Sequence, residues 1–313
     1  MYAFIARRLL ATIPVLGVVA VFVFLLLRLT PGDPAAILAG DAANADQIER
    51  IRASLGLERS IPVQFGIWIG NVLRGDLGES FYFKVQVAEL IAQRLEPTLA
   101  LATLTLLIAV AVSIPLGVAA AWRYGGWFDR MLMGFSVLGF SIPVFVLAYI
   151  LIYVVSLKLG WLPVQGYSRL ADGFWPFLRH LILPSVTLSV IYIALIARVT
   201  RASVLDALGE DYIRTARAKG LSELRVLVRH ALANSAVPIA TVIGIGVALL
   251  IGGVVVTESV YAIPGLGRLT VDAVLARDFP TVQGVILFFS VVYVLVNLLV
   301  DLSYVFFDPR IRY

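Results

Sequence analysis

Six long stretches of this chain contain no Asp, Glu, Lys or Arg, and they constrain its fold more than any other feature. They cover residues 9–27, 97–122, 131–157, 180–197, 230–257 and 279–300. A helix needs roughly 17–25 apolar residues to cross a bilayer, so each stretch is long enough. The alternative is buried core helices of a large soluble protein, but six such runs rarely coincide in one. Charged residues make up 14% of the chain, against about 25% in soluble domains. We therefore predict an all-α membrane protein with six transmembrane helices.

The first apolar run could belong to a secretory signal peptide, because Arg7 and Arg8 precede it. Its apolar core is longer than the roughly 7–15 residues of such peptides. No small-x-small cleavage site follows Leu27. We interpret residues 1–29 as an N-terminal region with a retained first span.

The remaining runs define the predicted organisation. Residues 30–96 form an outer loop with helix-like pieces at 45–55, 63–73 and 85–95, interrupted at Gly56, Pro62 and Gly75. This loop is too small for a strong core of its own, so we expect it to pack on the membrane domain. Residues 97–306 form the core and residues 307–313 a tail. The core has spans at 97–122, 131–157, 180–198, 237–260 and 279–306, with a polar loop at 199–236.

Basic residues predict the orientation. With six spans the termini share one side, and 13 of the 25 Lys and Arg residues fall on that side. Seven of the other twelve lie in the long segment 28–96, and loops longer than about 60 residues count little. The comparison is then 13 against five, which predicts cytoplasmic termini. The net charge of +5 is explained by this orientation, and we expect no nucleic-acid partner.

Prolines and glycines lie within the predicted spans. Pro14, Pro115, Pro143, Pro184 and Pro238 each remove a backbone donor, which bends a helix. The fifth span is rich in glycine, and small residues allow helices to pack closely. One interpretation is that these glycines serve only helix packing. The alternative is that the span lines a translocation path and moves, with Gly244, Gly252, Gly253 and Val256 as path residues.

Several kinds of active site are disfavoured. The phosphate-binding pattern GxxxxGK[ST] is missing because no Gly precedes Lys, so we expect a chain that is not itself an ATPase. The chain has only two histidines and no HExxH, so we expect no metal site. It has no cysteine, which excludes a disulfide. Ser141 lies mid-span without a membrane-embedded histidine, which disfavours a serine protease. We expect its hydroxyl to bond to backbone near Pro143.

Ion-coupled carriers usually have ionisable groups near the midplane of the bilayer. The nearest candidates here are Glu258 and Asp301, and both lie toward the ends of their spans. This weakens the hypothesis of a stand-alone secondary transporter without abolishing it.

The polar loop predicts two helices joined at a glycine. Glu210 and Asp211 suit a first turn, where acidic side chains complement the helix dipole. Gly220 suits the left-handed position that ends a helix, and Ser222 could cap the next one. The turn would present small and apolar residues ringed by arginine to a groove on a soluble partner. A helix lying on anionic lipid is the alternative.

This loop resembles the cytoplasmic loop of ABC-importer permeases, written EAA, three residues, Gly, nine residues, then I-x-L-P. Anchored on Gly220, the triad falls on Arg214-Thr215-Ala216, and Ala216, Gly220 and Leu232 match the pattern. His230 and Ala233 stand where the pattern has Ile and Pro.

The resemblance to dipeptide and oligopeptide permeases is closer and extends along the whole chain. It rests on five motifs in order: Thr30-Pro31-Gly32-Asp33-Pro34, Gly75-Asp76-Leu77-Gly78-Glu79-Ser80, residues 211–222 (DYIRTARAKGLS), Pro264-Gly265-Leu266-Gly267-Arg268 and Asp308-Pro309-Arg310-Ile311-Arg312-Tyr313. The long first outer loop is similar to that of the first permease subunit of such systems. Relatives import dipeptides, oligopeptides, glutathione, nickel complexes or opines, so the motifs do not fix the substrate.

The resemblance implies one half of a pore in a bacterial cytoplasmic (inner) membrane, formed with a homologous second permease. It also implies two cytoplasmic ATPases, which bind ATP and Mg, and a periplasmic or extracellular substrate-binding protein. The implied ATPase contacts are Arg214, Ala216, Arg217, Lys219, Gly220 and Leu221. Residues 75–78 are interpreted as a structural turn, with a receptor contact as the alternative. A membrane scaffold without transport activity is a further alternative.

Overall fold

The apolar runs and the polar loop both form helices. The computed structural model describes residues 2–29, 35–36, 44–54 and 56–307. Within these ranges the only β-type pairing is an isolated bridge between Glu79 and Gln86. The prediction of an all-α protein is therefore confirmed.

We number the helices in chain order. They are α1 (Tyr2–Leu29), α2 (Ala45–Ser54), α3 (Ile61–Leu73), α4 (Val87–Trp122), α5 (Trp127–Ser141), α6 (Val144–Leu151), α7 (Phe174–Leu208), α8 (Asp211–Ala218), α9 (Glu223–Arg225), α10 (Ala236–Val260), α11 (Leu266–Leu275) and α12 (Phe279–Phe307). Two π-helical segments, Ile152–Lys158 and Val226–Leu232, continue α6 and α9.

Four helices in the described part of the chain are long and apolar enough to cross a membrane. They are α4, α7, α10 and the Phe279–Leu302 part of α12. A fifth span results if α5 and α6 count as one bent span, and α1 contains a shorter apolar stretch, Leu10–Leu26. Every predicted span thus falls on helical structure, and the number six is approximate.

The predicted span 131–157 is not one straight helix. The two helical parts, Trp127–Ser141 and Val144–Lys158, are bent by 103°. The cause is Pro143, which has no backbone N–H and disfavours helical geometry at Ile142 before it. Ile142 is extended (φ −87°, ψ 120°), and its N–H still donates to the Leu138 carbonyl at 3.1 Å. The Ser141 hydroxyl donates to the Val137 carbonyl at 2.9 Å, which agrees with the predicted backbone bond.

Two of the sequence-based boundaries differ from the helix ends. The third piece of the outer loop does not end before the second span, because α4 is one helix of 36 residues. The fourth span begins earlier and ends later than 180–198, since α7 runs over 35 residues. Pro62 does not interrupt a helix; it lies in the first turn of α3, where its missing N–H leaves no bond unmade. Thr30–Pro34 and Asp308–Tyr313, two of the quoted motifs, lie outside the described residues.

The chain forms two compact units. One comprises Tyr2–Leu95 and Leu269–Leu295. Within it, the Phe24 ring of α1 contacts Phe65 and Trp68 of α3, with ring centroids 5.2 and 5.6 Å apart. Helix α3 therefore packs on α1, the first apolar helix.

The GDLGES motif forms a turn in this same unit. Gly75 and Gly78 both have φ of +84°, and Asp76 Oδ1 accepts the Gly78 N–H at 2.9 Å. The Ser80 hydroxyl then donates to the Asp278 carboxylate at 2.5 Å. The motif therefore forms a turn, as the structural-turn interpretation predicts, and Ser80 joins it to Asp278, the residue before α12.

The other unit comprises Glu96–Arg268 and the segment that begins at Val296. Its core is centred on α7, whose Leu181, Leu188 and Ile196 side chains are fully buried. Glycines allow neighbouring helices to approach α7 closely: a Cβ at Gly139 of α5 would lie 3.0 Å from Ala194, and one at Gly117 of α4 would lie 2.7 Å from the Ala197 carbonyl.

Candidate coupling site

The polar loop folds into two helical segments joined by a tight turn. Helix α7 ends at Leu208, and Glu210, in an extended conformation, precedes the first residue of α8. Asp211 lies in the first turn of α8, where its charge favours the helix dipole. After the turn, α9 begins at Glu223 and continues as the π-helical segment Val226–Leu232.

Gly220 makes the turn possible. Its φ is +75°, a left-handed value that is costly for residues with a Cβ. The turn closes α8 through two hydrogen bonds, from the Gly220 N–H to the Arg217 carbonyl (2.9 Å) and from the Leu221 N–H to the Ala216 carbonyl (3.3 Å). The prediction of a left-handed closing glycine is confirmed.

One face of the loop is an apolar base. Ile213 is fully buried and Ala216 is 6% exposed. Both belong to a cluster with Ala121, Val204, Val226, Leu227 and Ala231, and Leu221 packs against it half-buried. Burial of a side chain such as Ile213 contributes about 1.5–3 kcal/mol, so this base fixes α8 on the C-terminal ends of α4 and α7. Ala216, predicted as an ATPase contact, has a packing position here.

The other face is polar and open. Arg214, Lys219 and Gly220 are exposed, and a Cβ at Gly220 would meet nothing within 4 Å. Arg217 bonds to Glu223 across the turn, from Nε to Oε1 at 2.9 Å and from a terminal nitrogen to Oε2 at 3.2 Å. The turn is therefore both accessible and braced.

The prediction that Ser222 caps the second helix is wrong. Ser222 has the extended N-cap conformation, but its side chain makes no capping hydrogen bond. The brace between Arg217 and Glu223 replaces that contact in holding the start of α9 near the end of α8.

A second ionic contact escaped the sequence analysis. The Arg201 guanidinium, near the end of α7, donates from Nε and a terminal nitrogen to both oxygens of the buried Asp129 carboxylate in α5. The Gly125 N–H donates to Asp129 at 3.0 Å, and the Arg201 guanidinium lies 5.2 Å from the centre of the Tyr124 ring. This cluster ties the start of α5 and the connection 123–126 before it to the end of α7, which leads into α8. Only an acid at the start of an apolar run, Asp129, could have signalled it.

The four predicted path residues do not share one environment. Gly244 and Gly253 are packing positions, because a Cβ would overlap Val300 at the first and come within 2.8 Å of Leu188 at the second. Gly252 and Val256 are exposed and lie on one stripe of α10 with Ile245 and Leu249. The packing interpretation therefore holds for Gly244 and Gly253, and the assignment of Gly252 and Val256 to a translocation path stays a prediction.

Glu258, near the end of α10, is fully buried. Its carboxylate accepts the Thr98 hydroxyl at 2.6 Å and the Arg268 N–H at 3.0 Å, and the Leu266 N–H donates to Thr98 at 2.8 Å. A Cβ at Gly265 would overlap this carboxylate. The PGLGR motif therefore forms the start of α11, where the backbone packs around the Glu258 carboxylate, a pairing that the proximity of the motif to Glu258 could have suggested.

Comparisons with known families account for nearly the whole chain. Residues 113–313 match the family described as "Binding-protein-dependent transport system inner membrane component". Residues 1–102 match its N-terminal counterpart, described as "Binding-prot-dependent transport system membrane comp, N-term".

Individual relatives align over their full length. A protein of Sinorhizobium fredii named "Probable peptide ABC transporter permease protein" is 55% identical over 313 residues, covering 100% of both chains. The glutathione transport system permease protein of Escherichia coli K12 is 45% identical over 314 residues, again covering 100% of both. Among solved structures, the MetNI methionine ABC transporter in an inward-facing conformation is similar in fold. Its TM-score is 0.56 at 17% identity, over 70% of this chain and 96% of that one.

Proposed function

This chain belongs to the family of binding-protein-dependent transport system inner membrane components. On that premise we propose how separate ATPase subunits drive its transport cycle. The chain is the membrane-embedded permease of an ABC importer of this type. The full-length relatives and the fold favour this function over a stand-alone ion-coupled carrier.

The proposed cargo is a dipeptide, an oligopeptide or a related small solute. The support is the naming of a 55% identical relative for peptide and of a 45% identical one for glutathione, itself a tripeptide. The exposed stripe of α10 with Ile245, Leu249, Gly252 and Val256 is the proposed surface toward the path and the second permease.

The proposed assembly contains two homologous permeases, two cytoplasmic ATPases that bind ATP and Mg, and a substrate-binding protein outside. Both termini and the loop at Gly220 are placed in the cytoplasm. The support is the excess of basic residues on that side, 13 against five.

The turn at Gly220 is the proposed point of force transmission. The observation that carries this proposal is an exposed, left-handed glycine turn braced by Arg217 and Glu223 and set on a buried base. This turn, residues 217–223, is called the knuckle below, and it can enter a groove on a partner without unfolding. Arg214, Lys219 and Leu221 are placed beside the contact, and Ala216 supports it from beneath.

A continuous set of contacts connects the knuckle to the spans, so movement of the knuckle can be transmitted to them. The base joins α8 to the inner end of α7, and the Asp129–Arg201 contact joins α7 to α5. We assign to this connection the change between two arrangements of the spans as ATP binds and is hydrolysed. An ATPase drives such a change only if its affinity for the knuckle differs between the two arrangements.

Site-directed cross-linking tests the proposal. The chain contains no cysteine, so a Lys219→Cys variant carries a single thiol in this subunit. In the assembled complex we expect a disulfide with cysteines placed along one groove of the ATPase, at a yield that changes with ATP. Leu170→Cys, which is also exposed, is the control and forms no such bond. Equal yields from both positions contradict the proposal.

A further inference from the structure

An apolar groove lies beside the coupling knuckle, between the end of α4 and the second helical segment of the loop. Its volume is about 370 Å³, within the range of small-molecule sites, roughly 300–1,000 Å³. Its walls are Ile114, Pro115, Val118 and Trp122 of α4 on one side and Leu224 and Val228 on the other. Leu224 is 72% exposed and Val228 52%, so the groove is open along one side.

Exposed aromatic residues locate this groove at the bilayer surface. Trp122 ends the apolar helix α4, and Tyr124 and Trp127 follow it; all three side chains are more than half exposed. Trp and Tyr are enriched at the level of lipid headgroups. The groove walls at residues 114–118 precede Trp122 by one to two turns, so they lie at the depth of the first acyl carbons.

Three basic residues are sequence neighbours of the residues that line the groove. Arg123, Arg225 and Arg229 each follow a wall residue directly in sequence, and all three are exposed. The Arg123 guanidinium lies 5.4 Å from the centre of the Trp122 ring, directly at the rim. Among the described residues none of the three forms a salt bridge. The nearby Glu223 carboxylate is already bound by Arg217.

We propose that this groove binds one anionic phospholipid. An acyl chain occupies the apolar cleft, and the phosphate and headgroup contact Arg123, Arg225 and Arg229. An apolar cleft with a cationic mouth at the bilayer surface matches an amphiphile with an anionic head, and basic pockets at this depth bind such heads. A soluble anion would use only the arginines and leave the cleft empty.

The bound lipid would support the second helical segment of the knuckle. Leu227 has two roles, since it lines the groove and belongs to the buried base under α8. An acyl chain packed there completes the support on the open side. The binding site does not depend on the coupling proposal, whereas any importance of this support for transport rests on the proposed function.

Fluorescence quenching in nanodiscs tests the binding. The assembled complex is placed in mixed bilayers in which either phosphatidylglycerol or phosphatidylcholine carries brominated acyl chains. The fluorescence of Trp122 is obtained as the difference between the wild-type complex and the Trp122→Phe complex, which separates it from the other tryptophans. We expect stronger quenching by the brominated anionic lipid, and the preference should fall roughly fivefold for each arginine removed in Arg225→Gln and Arg229→Gln. The outer double variant Arg59→Gln with Arg74→Gln, matched in charge, leaves the preference unchanged.

A second measurement keeps the test decisive if Trp122→Phe is poorly folded. Mass spectrometry of the washed complex counts retained phosphatidylglycerol, with Ala119→Phe filling the groove and Leu107→Phe as a control on an exposed part of the same helix. We expect only Ala119→Phe to lose the lipid. Equal quenching by both lipids, indicating general lipid contact, would overturn the proposal. So would protection from both, indicating that a protein partner covers the groove, or release by inorganic phosphate alone.

If lipid binding fails while Lys219→Cys still cross-links to the ATPase, the lipid site is refuted and the coupling function stands. If instead the cross-link is lost while the lipid is retained, the coupling function is refuted and the lipid site stands.

Discussion

Arg217 and Glu223 form a two-bonded ion pair across the turn at Gly220, with nitrogen–oxygen distances of 2.9 and 3.2 Å. The pair joins the last turn of one short helix to the first residue of the next. Both side chains are nearly half exposed, so water weakens their attraction. Its main effect is to fix the shape of the turn, as the proposed contact with an ATPase requires.

The first prediction concerns that pair. Arg217→Gln or Glu223→Gln should lower the thermal stability of the complex very little, since exposed pairs contribute about 0.2–1 kcal/mol. ATPase stimulation by the loaded binding protein should fall severalfold, because the turn loses its brace. The exchanged double variant, Arg217→Glu with Glu223→Arg, should recover most of the stimulation. Failure of the exchange, with Arg217 variants alone inactive, would instead indicate that Arg217 contacts the partner directly.

The second prediction concerns the left-handed turn. Gly220→Ala should cost about 1–2 kcal/mol of local strain without any clash, because the space around a Cβ is open. Gly220→Asn should be milder, since Asn tolerates left-handed geometry. Stimulated ATPase activity should therefore rank Gly, Asn, Ala, and membrane insertion should be equal for all three. A variant ranking that follows side-chain size rather than left-handed propensity would contradict the strain argument.

The third prediction concerns the buried contact between α5 and α7. Asp129→Asn should leave the Arg201 guanidinium without its counter-charge and destabilise the complex by about 3–5 kcal/mol. The measurement is the Tm of the purified complex. Asp129→Asn with Arg201→Met should recover part of that loss, because no uncompensated charge remains. Equal Tm values for wild type and Asp129→Asn would rule out a structural role for the contact.

The fourth prediction uses neighbouring glycines of α10 as a matched pair. Gly253→Ala should separate α10 from α7 and lower the Tm, because a Cβ would lie 2.8 Å from Leu188. Gly252→Ala should leave the Tm unchanged or slightly raised, since nothing lies within 4 Å and Ala is the better helix former. If Gly252 faces the path, Gly252→Trp should block uptake in a folded complex. Normal uptake by Gly252→Trp would remove that residue from the path.

The fifth prediction concerns the start of α11, which packs around Glu258. Gly265→Ala should displace the carboxylate, because a Cβ there overlaps it, and the hydrogen bonds to Thr98 and Arg268 would be lost. We expect a lower Tm and low expression. Gly75→Ala offers a comparison, since its left-handed φ adds strain but a Cβ has open space. Equal effects of the two changes would show that strain alone, not the carboxylate, explains them.

The sequence predicted the elements whose cause is local. Apolar length placed the spans, and Gly220 with the charged first turn of α8 placed the knuckle. The right-angle break at Pro143 was only half predicted, because a proline indicates a bend but not its size. Contacts between residues far apart in sequence were missed. Asp129 with Arg201, and Glu258 with Thr98, are 72 and 160 residues apart, and nothing local pairs them.

Burial also divided residues that the sequence had grouped. The helical spacing of Ile213 and Ala216 places both on the inner face of α8, while Arg214 and Lys219 lie outside. The motif resemblance identified the loop but not its orientation. Similarly, Gly252 and Gly253 are consecutive, and only the packing of α10 on α7 shows that they face different ways.

Uptake by reconstituted proteoliposomes tests the central claim most directly. Vesicles contain this chain, its partner permease, the two ATPases and the loaded binding protein, and they carry either wild-type Gly220 or Gly220→Glu. We predict that wild-type vesicles accumulate labelled peptide only when ATP is hydrolysed, and that Gly220→Glu inserts normally yet loses both uptake and stimulated hydrolysis. Accumulation driven by an ion gradient without the ATPases, or full stimulation in the Gly220→Glu complex, would contradict the account.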